Sequence, residues 1–137
     1  MKKIYIFLLL AISSFTLFTS CADKSEEEAG KVADQFITSY YHNQYEDAKT
    51  VCDYIMRGKI NEAQEMVESF PDSIKKEFLV LAEQIVVKRT ETTENTKDRM
   101  IFKYEIFVPE NIDLLYNHVV VVKDAYTGNW TVTEMKE

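Results

Sequence analysis

The chain has 137 residues, one domain's worth, with 46% hydrophobic and 28% charged residues and only 3 Gly and 2 Pro. Those proportions exclude a collagenous chain and wholesale disorder. The formal charge is −7 at pH 7; nucleic-acid binding needs Lys and Arg to displace counterions, so no nucleic-acid partner is expected.

Residues 1–20 have the three regions of a secretory signal. Lys2 and Lys3 form a basic start, Ile4 to Ile12 an apolar core, and Thr19 and Ser20 a small polar end. A retained membrane span would need about 20 apolar residues, and the run from Ile4 to Phe18 is shorter and broken by Ser13, Ser14 and Thr16. The stretch Leu17-Phe18-Thr19-Ser20-Cys21 resembles a bacterial lipobox, with Phe18 where leucine is usual. The resemblance implies that Cys21 becomes the acylated first residue and the lipid-attachment site. Two or more acyl chains hold a protein durably at a membrane where one does not. Residues 21–28, Cys21 followed by Ala22-Asp23-Lys24-Ser25-Glu26-Glu27-Glu28, read as an acidic tether. They resemble the surface-export tags of lipoproteins from the Bacteroidota, which implies an outer-membrane, surface-facing protein; a periplasm-facing one is the alternative.

A single domain over residues 29–137 follows. Val32, Phe36, Ile37, Tyr40 and Tyr41 recur at spacings of three and four, the stripe of an amphipathic helix. Glu26 to Glu28 fall near its N-terminus, where the helix dipole favours negative charge. His42-Asn43-Gln44 reads as a break. A second helix carries Tyr45, Ala48, Val51, Cys52 and Ile55 on one side and ends near Arg57-Gly58, with Gly58 as a left-handed cap. A third spans Ile60 to Phe70 and is stopped by Pro71. Ser73 then caps a fourth, in which Ile74, Phe78 and Leu81 step by four and three.

The helical pattern yields to extended chain near Glu83, with Ile85 to Thr92 rich in β-branched residues and Thr93 to Asp98 a polar turn. From Met100 to Val108 the apolar residues alternate: Met100, Phe102, Tyr104, Ile106 and Val108 share a face. Leu114 to Asp124, apolar on both faces around Val119-Val120-Val121-Val122, is expected inside the sheet. A turn with Gly128 and Asn129 leads to a last strand, Trp130 to Thr133. Helices first and strands afterwards indicate an α+β fold, N-terminal helices packed on a curved antiparallel β-sheet.

This layout resembles the nuclear transport factor 2-like (cystatin-like cone) superfamily, and within it small bacterial lipoprotein domains of unknown function. The parallels are Val32-Ala33-Asp34-Gln35-Phe36 with Tyr40, and Val119 to Lys123 followed by Gly128-Asn129-Trp130-Thr131-Val132. The resemblance implies a cone that binds a small apolar or aromatic molecule or docks on an envelope protein. The alternative is an isomerase- or hydrolase-type enzyme of the same superfamily, whose members place acids with a tyrosine or arginine inside the cone. Neither an Asp-Arg-Asp nor a Tyr-Asp-Asp set can be matched to this chain, so no catalytic residue is carried over.

Aromatic walls with a few polar tips build small-molecule sites, which makes Phe36, Tyr40, Phe102, Tyr104 and Trp130 the candidate pocket lining; ordinary core packing is the plainer reading. His42 and His118 are the only histidines, and no His-Glu-x-x-His or cysteine pair exists, so neither metal nor cofactor is expected. His118 is the first choice for a general base, though nothing supplies an orienting partner. Cys52 reads as a small buried hydrophobe. Asn129-Trp130-Thr131 is formally an N-glycosylation sequon. Asp72-Ser73-Ile74 resembles the Asp-Ser/Thr-apolar sites glycosylated in exported proteins of the Bacteroidota. An apolar patch on the convex sheet face would indicate a partner or a homodimer.

Overall fold

The structure, a computed structural model, describes residues 24–110 and 113–137, so the signal and Cys21 lie outside it. Helix α1 covers residues 24–41. The acidic residues Glu26 to Glu28 are therefore its first turns, not part of an extended tether. Ala29, Ala33, Phe36 and Ile37 are fully buried along its inner stripe. The helix ends in a Schellman motif: Gln44 N–H donates to Ser39 O (2.8 Å) and Asn43 N–H to Tyr40 O (3.2 Å). Asn43 takes φ 60°, which a short amide side chain tolerates better than most.

The second helix departs from its expected span. Helix α2 is only Tyr45–Lys49, and α3 runs from Tyr54 to Glu68, straight through Gly58. Two effects break the chain at residues 50–53. Asp53 N–H donates to Val132 O and Val132 N–H to Val51 O, both at 2.9 Å, pulling this segment alongside the last strand. The Asp53 carboxylate then accepts from Met56 N–H (2.8 Å), capping α3. Gly58 is thus an exposed position inside a helix and caps nothing. Helix α4 spans Asp72–Gln84, with Pro71 at its N-cap position and Lys75 N–H donating to Pro71 O (2.9 Å). Ser73 sits one residue inside the helix, so it is not the cap.

Four strands follow: β1 (Val86–Asn95), β2 (Arg99–Phe107), β3 (Leu115–Lys123) and β4 (Trp130–Lys136). They form an antiparallel sheet in the order β1-β2-β3-β4, with β3 interior as its two-sided apolar sequence requires. The register sets Met100 opposite Val121, Phe102 opposite Val119 and Tyr104 opposite Asn117. That face is buried, and the helices cover it. Phe36 and Ile37 of α1 join Phe102, Tyr104, Ile106 and Val121 in one core cluster, each large apolar side chain contributing roughly 1.5–3 kcal/mol. β1 reaches Asn95, further than expected, because it accommodates irregularities between Arg89 and Glu91 and between Thr92 and Glu94 that bend this edge strand.

Polar side chains fix how α1 lies on the sheet. Glu26 accepts from Thr92 Oγ1 (2.6 Å) and Asn95 Nδ2 (2.9 Å) at the far end of β1. Asp34 accepts from Tyr104 OH (2.7 Å) on β2, and Tyr41 OH bonds Asn117 Nδ2 on β3. The helix therefore crosses the sheet diagonally from β1 to β3.

Candidate functional site

The five aromatic residues put forward as a pocket lining are not gathered round an opening. Phe36 and Phe102 are fully buried, Tyr104 is nearly so, and all three are in the core cluster. Tyr40 is partly buried, near-parallel to Phe36 at 6.4 Å and edge-on to Tyr41 and Tyr45. Burial raises the hydroxyl pKa of Tyr40 and Tyr45, and pushes Tyr41 up to about 12. Trp130 is buried at 7% exposure, yet its edge borders a surface groove. Packing claims most of this set because the alternating face of β2 and the stripe of α1 meet directly.

One cluster on the inner face was not legible in the sequence. Arg89 on β1 stacks over the Phe102 ring, its guanidinium carbon 5.1 Å from the centroid, and reaches Asp34 at 3.5 Å. Tyr104 donates to the same carboxylate. Burial raises the Tyr104 hydroxyl pKa most, and the Asp34 carboxylate accepting its proton raises it further. Gly30 makes this possible: a methyl group there would fall 1.7 Å from Arg89 Nη1. An acid, an arginine and a tyrosine thus stand together. Asp34 already holds both partners, and its side chain is 44% exposed. Its observed role is to fasten α1 to the sheet.

The other candidates are dispersed. His42 at the end of α1 has its Nε2 2.8 Å from Ile85 O, which ties α1 to the start of β1. His118 lies on the opposite sheet face, in register between Lys103 and Lys136, remote from the inner cluster. Cys52 is a free, buried thiol in the break before α3, its pKa raised by burial, the environment of an inert cysteine. Ser73 is exposed in the first turn of α4. Among the described residues, no three His, Cys, Asp or Glu side chains gather as a metal site would require.

An apolar concavity lies elsewhere, along α4. Phe70, Ile74, Phe78, Leu81 and Pro109 line an open groove of about 810 Å³, with Lys76, Glu77 and Glu110 among the residues at its border. Phe70 and Phe78 meet edge to face at 5.9 Å. Ala82 is the one buried residue of α4, whereas Ile74 and Val80 stay 49% and 52% exposed. The helix carries an apolar stripe only partly used by the fold. Nearby, the sheet face turned away from the helices leaves Val86, Phe107 and Tyr116 exposed. The sequence signalled the stripe through Ile74, Phe78 and Leu81; it could not signal that the sheet would leave part of it uncovered.

No helix among the described residues is long and apolar enough to cross a membrane. Compared with protein-family models and with curated proteins, the sequence matches none.

Proposed function

We propose that the chain is a cell-envelope lipoprotein, anchored through Cys21 at the outer membrane and facing outward, whose domain acts by binding and not by catalysis. The occupant is an apolar segment of another envelope protein, laid along α4. The observation that carries this reading is the groove of about 810 Å³ with Ile74 and Val80 half exposed on it. A soluble domain keeps an apolar helix face uncovered at a cost in solubility, which a partner removes. An open trough suits a chain segment better than a small molecule, since small-molecule sites bury most of the ligand's surface. Lys76, Glu77 and Glu110 would supply the polar rim around the apolar centre.

The test places a photo-crosslinking side chain at Ile74 or Val80 in the acylated protein in its own host, with Lys136 on the sheet as the control position. A discrete protein adduct from the groove positions, absent from the control and lost in Ile74→Glu, supports the reading. Adducts equal at all positions would overturn it. A small molecule retained by the acyl-free domain in native mass spectrometry would replace the protein partner with a ligand. Palmitate labelling of the wild type, absent from Cys21→Ser, tests the anchor separately.

A further inference from the structure

Three peptide units separate Cys21 from Lys24, where α1 is already helical. Whatever path that link takes, it spans at most about 11 Å. The headgroup layer on one side of a bilayer is roughly 5–8 Å thick. The helix it joins is not free to swing, because Glu26 in its first turn holds Thr92 and Asn95 of β1. A lipid on Cys21 would therefore leave the folded domain no room to stand off from the membrane.

The end of the domain that would meet the bilayer can be named. Glu26 binds the β1–β2 hairpin at Asn95, and Lys123 N–H donates to Asp98 O (2.8 Å), which joins that hairpin to the β3–β4 turn. Glu28 of α1, Asp53 and Arg57 at the start of α3, and Gly128 and Asn129 of the β3–β4 turn border one groove. Around this end stand three side chains that the core does not use. Tyr126 at the turn tip is 99% exposed, and Tyr54 and Ile55 in the first turn of α3 are 88% and 66% exposed. Tyrosine is favoured at membrane–water interfaces, its ring among the acyl carbonyls and its hydroxyl in the headgroups.

We infer that, resting on the Cys21 anchor proposed above, this end is seated directly on a zwitterionic lipid surface, with Tyr126, Tyr54 and Ile55 entering the interfacial layer. The α4 groove borders the opposite end. Gln84 and Pro109 line it, next to the residues where β1 begins and β2 ends. The ten residues of β1, at about 3.3 Å each, separate the two ends by roughly 30 Å. The seat would hold the groove away from the bilayer and open to a partner. Glu26, Glu27 and Glu28 at the seated end disfavour anionic headgroups.

The test uses the acylated protein from its host, bound to phosphatidylcholine vesicles that carry a headgroup spin label. A fluorophore is attached at Lys97→Cys in the β1–β2 turn or at Glu83→Cys near the end of α4; Cys52 is buried and escapes labelling. Vesicle flotation reads the anchor, and quenching reads the seating. Flotation with severalfold stronger quenching at position 97 than at 83 is expected. Tyr54→Ser/Ile55→Ser/Tyr126→Ser should still float but lose that difference. Equal quenching at both positions in a floating protein would overturn the seating while sparing the anchor. Undiminished quenching in the triple variant would overturn the part given to the three side chains. Failure of the wild type to float would overturn the anchor and the seating with it.

Discussion

Two glycines inside helices make opposite predictions from one substitution. Gly58 lies in α3 with nothing within 4 Å of an added Cβ, whereas a Cβ on Gly30 would fall 1.7 Å from Arg89 Nη1. Alanine is better than glycine in a helix interior by about 1 kcal/mol, so Gly58→Ala should stabilise the acyl-free protein by that amount. For a small domain this raises Tm by roughly 4–8 °C. Gly30→Ala starts with the same gain but displaces the guanidinium from Phe102 and Asp34. The contact of the partly exposed guanidinium with the Phe102 ring is worth about 0.5–1 kcal/mol, and the ion pair, with side chains 35% and 44% exposed, adds about 0–1 kcal/mol after solvent screening. The net effect should fall between a residual gain of about 0.5 kcal/mol and a loss of about 1 kcal/mol. Urea unfolding with an unchanged m-value reads both. In an Arg89→Ala background the Gly30→Ala gain should return, which a double-mutant cycle isolates. If Gly30→Ala stabilises the wild type as much as Gly58→Ala does, Arg89 is not docked over α1 and the account of that contact fails.

Other consequences can be checked on the same protein. Asp53→Ala removes the acceptor of Met56 N–H and should cost about 1 kcal/mol in urea unfolding, with Asp53→Asn retaining most of the cap. Gly128 has φ +72° with open space around it, so Gly128→Ala should cost about 1–2 kcal/mol from backbone strain alone, and Gly128→Asn less. The Asp124 carboxylate accepts from Tyr126 and Thr127 N–H, which lowers its pKa. Its contribution is thus present above the unfolded value of about 3.9 and is lost as pH falls through the folded one; the amide shifts of Tyr126 and Thr127 should titrate below that value. Tyr41, held up to about 12, and Tyr104, also raised, act at the alkaline end. Their raised values keep full stability below pH of about 10, and stability falls as the unfolded chain ionises above it. Tyr41→Phe should flatten that alkaline slope in urea titrations from pH 8 to 11, and an unchanged slope would refute the burial argument for this hydroxyl.

Local chemistry determined a good deal of this protein by itself. The period of two in Met100, Phe102, Tyr104 and Ile106 dictates a half-buried strand, the valine run of β3 an interior one, and Gly128 a turn that needs positive φ. The stripe of Phe36, Ile37 and their neighbours dictates a helix laid on that sheet. These features rest on neighbours in sequence, so the sequence alone expresses them. Tertiary contacts decided the rest. Val51 and Asp53 are drawn out of helix by hydrogen bonds to Val132, far away in the chain, so α2 stops early and Gly58 ends up mid-helix. Asp34, Arg89 and Gly30 meet only because α1 crosses the sheet at one angle. The same packing closes over the aromatic residues put forward as a pocket and leaves the outer side of α4 bare. Periodicity says which side chains must leave water; only the assembled layers, with finite area to offer, decide which of them find cover.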